Sequence, residues 1–183
     1  MARVPYLEKA DLAPEDRDLL AREITLHKAM AHSPNAARAF QRLGNFIRHD
    51  SKLDARLREL AILQVGYVAR SPYEFSHHIK IGRDFGVSDD DIRGLIAESH
   101  GRPSGLEPLA KAVCRAAREM TGQMEIGDRT YAELEAALSR ETLTDLVITI
   151  AFYNAVVRYL ATMRIDVEPE YQKYLDQFPL PEK

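Results

Sequence analysis

The chain has 183 residues, of which 45% are hydrophobic, so it can bury a full core as one large domain or two small ones. Its net charge of −3 and the lack of a long lysine and arginine block argue against nucleic acid as a partner, because phosphate binding needs a concentrated basic face. The single cysteine, Cys114, excludes an intrachain disulfide, a Cys-x-x-Cys redox pair and a cysteine-based zinc site.

The chain begins with residues 1–12, which carry charges and lack an apolar core of signal-peptide length, so we expect a cytoplasmic protein. Helical periodicity follows almost throughout, and no segment alternates apolar and polar residues as a half-buried strand would. The predicted helices cover residues 15–30, 34 to at least 47, 55–69, 72–85, 88–98, 107–121, 130–138 and 142–163.

Capping residues set several of these boundaries. Asp54 and Ser71 precede two of the helices, and Ser71 is followed by a proline at the first helical position. Gly86 directly follows the predicted helix 72–85, and glycine is favoured just beyond the C-terminus of a helix. Ser88 and Asp91 have the spacing of a capping box, in which each side chain accepts from the other residue's backbone amide.

The remaining segments are predicted to be loops or a buried helix. Residues 99–105 and 122–128 are loop candidates, and the tail from residue 166 onward is expected to be partly irregular. The longest apolar run, residues 146–161, is shorter than the roughly 20 residues of a membrane span and favours a helix buried in a core or between subunits. We therefore expect one all-α domain, residues 1–183, with six to eight helices.

Glu59 is the first candidate site residue, because its neighbours three, four and seven residues later on the helix are Ile62, Leu63 and Gly66. A buried carboxylate is costly, so it is either firmly paired or catalytic. Gly66 removes a side chain from the same stripe and lets another helix approach. The alternative is that Glu59 lies in the first turn of the helix, favoured by the macrodipole and paired with Arg56 or Arg58.

His78 is the second candidate, since it shares an apolar helical stripe with Glu74, four residues earlier. A carboxylate at that spacing can orient an imidazole and raise its pKa. The alternative for His78 is a satisfied core histidine with no chemical role. His77, one residue earlier, is expected to lie closer to the surface.

Glu74 and Tyr73 have two interpretations each. Ser71 and Glu74 have the spacing of a capping box, in which Glu74 would reach back to the helix start instead of facing a site. Tyr73 could donate a hydrogen bond into a pocket or simply cover the core. Two histidines next to each other on a helix point about 100° apart, and no His-Glu-x-x-His motif is present, so we expect no metal site.

The candidate site residues occur in a segment that resembles a known family motif. Residues 53–96 resemble the carboxymuconolactone decarboxylase family, which includes the alkylhydroperoxidase D-like proteins. The run Arg-Glu-Leu at residues 58–60 matches the start of the family motif, and residues 71–78 stand where the redox branch has Cys-x-Tyr-Cys-x-x-x-His. Glu59, Tyr73 and His78 fall on the family's Glu, Tyr and His. The turn that begins Gly-Val-Ser at residue 86 and the Phe-Tyr-Asn run at 152–154 also resemble family elements, and the family core covers about residues 33–121.

The departure from the family motif concerns the two cysteines, which are replaced by Ser71 and Glu74. Thiol redox chemistry needs a thiolate, and neither a hydroxyl nor a carboxylate can cycle through a disulfide. Cys114 lies on another predicted helix and has no second thiol. An alkylhydroperoxidase- or peroxiredoxin-like antioxidant activity is therefore disfavoured.

The resemblance instead implies a cofactor-free, decarboxylase-like enzyme that acts on a small organic acid or lactone and forms a homo-oligomer of alkylhydroperoxidase D-like fold. In this interpretation His78 is the acid or base, Glu59 sets its protonation, Tyr73 donates a hydrogen bond and Glu74 completes the site. No arginine is identified as a carboxylate clamp, and Arg58 is expected to be a surface charge. The remaining alternative is a non-catalytic oligomeric binding protein. No cofactor, nucleic acid or membrane partner is expected.

Overall fold

A computed structural model describes residues 1–182, and all the regular structure in this part of the chain is helical. The α-helices are α1 (Thr25–Met30), α2 (Pro34–Asn45), α3 (Ala55–Val68), α4 (Pro72–Asp84), α5 (Asp89–Ser99), α6 (Pro108–Gln123), α7 (Asp128–Ala137), α8 (Arg140–Met163) and α9 (Gln172–Gln177). Short 3₁₀ helices span Lys9–Asp11, Pro14–Leu20 and Pro169–Tyr171, and a π-helical turn spans Phe46–Asp50. The predicted all-α fold is confirmed.

Nine α-helices over residues 1–182 exceed the predicted six to eight because the two shortest, α1 and α9, have only six residues each. One continuous segment, 15–30, was expected to hold a single helix. It is divided instead into the 3₁₀ helix Pro14–Leu20 and α1, with Ile24 in an extended conformation between them. The break is fixed by the tail, since the backbone amide and hydroxyl of Thr25 donate to Glu168 Oε1 at 2.8 and 3.0 Å.

The predicted caps form at two of the helix starts. Asp54 accepts a hydrogen bond from the Leu57 amide at the start of α3. Ser88 and Asp91 form the reciprocal capping box of α5. Gly86 has a φ of +92°, the left-handed conformation that lets the chain turn sharply after α4.

Helix α3 is the centre of the fold. Its residues from Leu57 to Tyr67 are all buried, and it packs against α4, α5, α6 and α8. Gly66 allows α4 to approach α3 closely, because a Cβ at that position would lie 3.1 Å from the backbone nitrogen of Phe75 on α4. The expected role of Gly66 in admitting a neighbouring helix is confirmed, and this contact sets the register between the two helices that carry the candidate site.

Helix α8 is longer than the apolar run predicted from the sequence. Its 24 residues and its mean hydropathy of 1.5 over the most apolar window would suffice, by length and composition, to cross a membrane. Such a helix is weak evidence for a span, because the core helix of a soluble protein has the same properties. One face of α8 packs on α3 and α6, whereas the opposite face leaves Ile148 38% exposed.

Candidate functional site

The first turns of α3 place an ion pair inside the protein. Glu59 is fully buried and Arg58 is 3% exposed. Arg58 donates to Glu59 Oε1 from Nε at 3.1 Å and from Nη2 at 3.0 Å, and from Nη1 to the Arg48 carbonyl. The Arg58 guanidinium also stacks over the ring of Phe85, 4.5 Å from its centroid. The expectation that Arg58 is a surface charge is wrong, because burial of Glu59 requires a buried cation beside it.

His78 on α4 continues this pair. Its Nδ1 lies 2.7 Å from Glu59 Oε2, and its Nε2 lies 3.0 Å from Glu74 Oε1. Burial acts to lower the pKa of His78, but the two carboxylates outweigh it and raise that pKa to about 9. Burial likewise acts to raise the pKa of Glu59, and the charges of His78 and Arg58 overcome it and hold that pKa below its usual range. Arg58, Glu59, His78 and Glu74 thus form a chain of alternating charge.

Glu74 ends this chain and does not cap α4. The Ser71 side chain accepts no hydrogen bond from the helix start, so the capping box considered from the sequence is not formed. Glu74 Oε1 lies at ion-pair distance from His78 Nε2, and no group in residues 1–182 makes a hydrogen bond to that oxygen. Glu74 is 3% exposed. The Glu74 carboxylate therefore pairs with the His78 imidazole at the wall of the protein's main cavity.

Tyr73 lies apart from the charged chain. Its hydroxyl accepts from the Leu26 amide and donates to Glu168 Oε1, each at 3.3 Å, which ties α4 to α1 and to the tail. Burial and the charge of Glu168 raise the pKa of Tyr73 well above its usual range, so the phenol stays protonated. The structure thus brings Glu59, His78 and Glu74 together, and it places Tyr73 beside them without a bond to any of the three.

His77 is 3% exposed, contrary to the expectation that it lies near the surface. Its ring is stacked between the rings of Tyr73 and Tyr171, at centroid distances of 4.0 and 3.6 Å. Nδ1 donates to the Tyr73 carbonyl at 2.9 Å, and Nε2 lies 3.1 Å from Glu168 Oε2. The sequence pattern of α4 alone missed this burial because the C-terminal tail supplies the cover.

A cavity of about 240 Å³ adjoins the site. This volume is close to the lower end of the roughly 300–1,000 Å³ typical of small-molecule pockets. Glu59 and Arg58 lie behind His78 and do not line it. The polar side chains on its wall include Arg22, His27, Arg48, Tyr73, Glu74, His77, His78 and Tyr153.

Five of these groups were not predicted as site residues from the sequence: Arg22, His27, Arg48, His77 and Tyr153. Arg22 lies in the break between the first 3₁₀ helices and α1, and Arg48 lies in the π-helical turn, so neither follows a regular helical pattern. Tyr153 packs edge-on against His78, with ring centroids 5.0 Å apart, and its burial raises its pKa well above the usual range. Only its position in the Phe-Tyr-Asn run, which resembles a family element, could have indicated from the sequence that Tyr153 belongs to the site.

Cys114 lies elsewhere, in the core on α6. It is fully buried, and burial raises the pKa of its thiol to about 12. Over residues 1–182 no group of three or more His, Cys, Asp or Glu side chains has the geometry to hold a metal ion. The groups arranged for chemistry at the cavity are acids, imidazoles, phenols and guanidiniums.

The fold has counterparts among solved structures. A peroxidase-related protein with an alkylhydroperoxidase AhpD core from Ralstonia eutropha JMP134 superposes with a TM-score of 0.78 at 19% identity, over 93% of this chain and 94% of that one. The apo debrominase Bmp8 gives a TM-score of 0.80 at 19% identity, over 96% and 97% of the two chains. A putative antioxidant defence protein AhpD from Agrobacterium tumefaciens gives 0.67 at 20% identity, over 76% and 95%.

These likenesses establish the alkylhydroperoxidase D-like fold. No curated protein sequence matches the chain. Residues 34–119, which include α3, α4 and the whole Arg58–Glu59–His78–Glu74 chain, match the carboxymuconolactone decarboxylase family. The comparisons thus support a likeness to the carboxymuconolactone decarboxylase family over residues 34–119, within a chain that has the alkylhydroperoxidase D-like fold.

Proposed function

We propose that the protein is a cofactor-free enzyme that catalyses decarboxylation, or a closely related proton transfer, on a small organic acid or lactone. The observation that carries this proposal is the buried charge chain from Arg58 to Glu74, which ends with the Glu74 carboxylate and the His78 imidazole on the wall of a cavity. Buried titratable groups coupled in this way and open to a pocket are typical of active sites.

In the proposed reaction the bond between a carbon and its carboxylate breaks and CO₂ leaves. The electron pair passes to a neighbouring carbonyl as an enolate, which then takes a proton on carbon. His78, charged between two carboxylates, supplies that proton through Glu74, and a solvent proton restores the imidazolium. Tyr153 lines the same cavity and, as a neutral phenol, can donate a hydrogen bond to the enolate oxygen.

Glu59 and Arg58 act as positioning residues in this scheme, since neither lines the cavity. Glu59 holds Nδ1 of His78 and keeps the imidazole charged. Arg58 fixes one oxygen of Glu59 so that the other faces His78. Tyr73 borders the cavity, but its hydroxyl is already bonded to Glu168, so we assign it to the tail contact.

A thiol mechanism is the alternative suggested by the peroxidase-related likenesses. Its nucleophile would have to be Cys114, whose buried thiol has a raised pKa and does not reach the cavity. The redox cysteine positions of the family motif hold Ser71 and Glu74. Glu74 puts a proton acceptor where the redox branch has a thiol, which favours acid–base chemistry.

The test is an assay of small carboxylated lactones, with CO₂ release and product mass as readouts. We expect His78→Gln and Glu74→Gln to lower kcat by about 10²- to 10⁴-fold, the usual contribution of a general acid or base. His49→Gln, an exposed histidine on the same chain, is the matched control and should keep full activity. Circular dichroism verifies that each variant is folded. Full turnover in folded His78→Gln would refute the proposal, and stable binding without turnover of any lactone would favour a binding protein.

We also propose that the protein self-associates through the outer face of α8. Ile148 is 38% exposed there, and Leu43 and Phe46 near the end of α2 are 37% and 36% exposed. Contiguous apolar patches mark interaction surfaces, whereas single exposed apolar side chains are common, so the proposal also draws on the homo-oligomer that the family resemblance implies. Light scattering should find an oligomer that Ile148→Lys weakens, and a monomer at all concentrations would contradict it.

A further inference from the structure

We propose that residues 14–24 form a flap that opens to admit small molecules to the cavity, and that Arg38 on α2 holds this flap closed. The flap consists of the 3₁₀ helix Pro14–Leu20 and the break before α1. It controls access to the cavity and therefore acts in the same way whichever reaction takes place inside.

The flap supplies one wall of the cavity. Its lining residues are Asp18, Leu19, Ala21, Arg22 and Ile24. Leu19 is 2% exposed although it belongs to neither hydrophobic cluster among residues 1–182, because its side chain covers the cavity. Glu74 and His78, on the α4 wall, are only 3% and 4% exposed. A molecule larger than water therefore reaches them only when part of the wall moves.

The flap is the wall that the backbone fixes least. The other walls belong mainly to α2, α4 and α8, whose backbone groups are bonded within regular helices. The backbone hydrogen bonds of the flap are local, such as the one from the Asp16 amide to the Ala13 carbonyl at 2.9 Å. None of them, over the part of the chain that the structure describes, reaches α2, α4 or α8. Segments held in this way open at low cost, and lids over active sites are drawn from them.

Two contacts provide fixed points about which the flap can turn. Leu20 is fully buried and packs with Leu12 and Ala31 in a small cluster that is separate from the main core. Thr25, directly after the flap, is bonded to Glu168 of the tail through its amide and its hydroxyl. Because neither contact involves the walls on α2 and α8, the flap can turn away from the cavity while the main core stays intact.

Arg38 and Gln41 of α2 hold the flap in its closed position. The Arg38 guanidinium binds Asp18 through Nη1 at 2.7 Å and through Nη2 at 2.9 Å, and Nη2 also donates to Asp16 at 2.9 Å. Gln41 donates to the Leu19 carbonyl at 2.9 Å. The Arg38 side chain is 36% exposed, so salt screens its ion pairs, and exposed pairs of this kind are individually weak. They favour the closed flap without locking it.

The experiment measures entry into the cavity by a small neutral reagent, iodoacetamide. Val156 lines the cavity from α8 and is 2% exposed, so Val156→Cys places a thiol on the wall away from the flap with little change in volume. Cys114, the native cysteine, is fully buried and lies off the cavity, so its alkylation reports opening of the core. Mass spectrometry of peptides follows the alkylation of the two thiols separately.

Adding Arg38→Gln to Val156→Cys should speed alkylation at position 156 by roughly 5- to 30-fold and leave Cys114 unchanged. Hydrogen exchange of amides 14–24 should rise in parallel in Arg38→Gln alone, which tests the flap without an introduced cysteine. Raising NaCl from about 0.05 to about 0.5 M should also speed alkylation at position 156, because it screens the ion pairs, but not in the presence of Arg38→Gln.

Arg42→Gln is the matched control, since Arg42 is an exposed arginine one turn later on α2 and does not line the cavity. It should leave both rates unchanged. Three results would each overturn the proposal: alkylation at position 156 unaffected by Arg38→Gln, equal acceleration by Arg42→Gln, or Cys114 accelerated to the same extent as position 156. The last would show that Arg38 stabilises the whole protein and not the flap. No turnover is measured, so failure of the lactone assay leaves these outcomes unaffected.

Discussion

His77 and His78 are consecutive residues on one helix with nearly equal burial, at 3% and 4% exposed, yet their surroundings differ completely. His78 lies between two carboxylates that belong to α3 and α4 and are part of the charge chain. His77 lies between two aromatic rings, and its one carboxylate, Glu168, comes from the C-terminal tail. Burial alone therefore says little about what a histidine does.

The comparison separates the charged site around His78 from a structural contact around His77. We call this contact the latch: Glu168 of the tail contacts His77, Tyr73 and Thr25. Around His78 the positive charges of Arg58 and the imidazolium balance the negative charges of Glu59 and Glu74, so removing one member leaves another buried and unpaired. Around His77 much of the contact is ring stacking, and Glu168 also holds Tyr73 and Thr25. The first region should be the more costly to disturb, and only the first should affect catalysis.

The largest expected effect is on stability when the charge chain loses Glu59. Glu59→Gln leaves Arg58 and His78 buried without an anion between them, and breaking a buried ion pair in this way costs about 3–5 kcal/mol. Glu168→Gln, the corresponding change in the latch, removes charge-assisted hydrogen bonds and should cost about 1.5–3 kcal/mol. Urea denaturation of both variants measures the difference. Equal losses, or a smaller loss for Glu59→Gln, would contradict the contrast between the two regions.

The second effect is a pH dependence that differs between the regions. The pKa of His78 is raised from 6.5 to about 9, so its contribution to stability is complete below about pH 6.5 and is lost as the pH rises through 9. Burial acts to raise the pKa of Glu168, but the ion-pair contact with His77 and the hydrogen bond from the Thr25 amide outweigh it and lower that pKa from 4.5 to about 2. Its contribution is complete above about pH 4.5 and is lost as the pH falls through 2.

The free energy of unfolding should therefore decline between about pH 7 and pH 9 by at most ~3 kcal/mol, the value of the full His78 shift. His78→Gln should abolish that alkaline decline. It should leave in place the acid limb, which is the loss of stability as the pH falls. Because the pKa of Glu59 is also lowered, the acid limb belongs to both regions, and Glu168→Gln should reduce it without removing it. An alkaline decline that persists in His78→Gln would show that another group causes it.

The pattern of α3 and α4 predicted much of the site. Glu59 and His78 could be placed on inward faces because helical spacing is regular, and Gly66 indicated where the two helices touch. The sequence did not decide whether Glu74 caps α4 or faces the site, since both roles need a Glu at this position and only the side-chain rotamer differs. The helix start at Ser71 lacks the side-chain bond, so Glu74 does not form the capping box, and its carboxylate contacts His78 instead.

The remaining site residues depend on contacts that no local pattern encodes. His77 is buried by Tyr171, which lies about 90 residues later in a tail predicted to be partly irregular. Arg22 and Arg48 face the cavity from a helix break and a π-helical turn. Arg58 looked like a surface charge because its burial depends on Phe85 and the Arg48 carbonyl, both supplied by tertiary packing.

The smallest effect expected is that of His77→Phe, which sharpens the comparison most directly. A phenyl ring preserves stacking with Tyr73 and Tyr171, each pair worth about 0.5–1.5 kcal/mol. It loses the polar contact to Glu168 and the hydrogen bond to the Tyr73 carbonyl. Stability should fall by about 1 kcal/mol, hydrogen exchange of tail amides 166–178 should rise, and turnover should be unchanged. His77→Ala removes the stacking as well and should lose more stability. If His77→Phe abolished turnover while His78→Gln retained it, the roles of the two histidines would be reversed, and the cavity's chemistry would have to be sought at the tail.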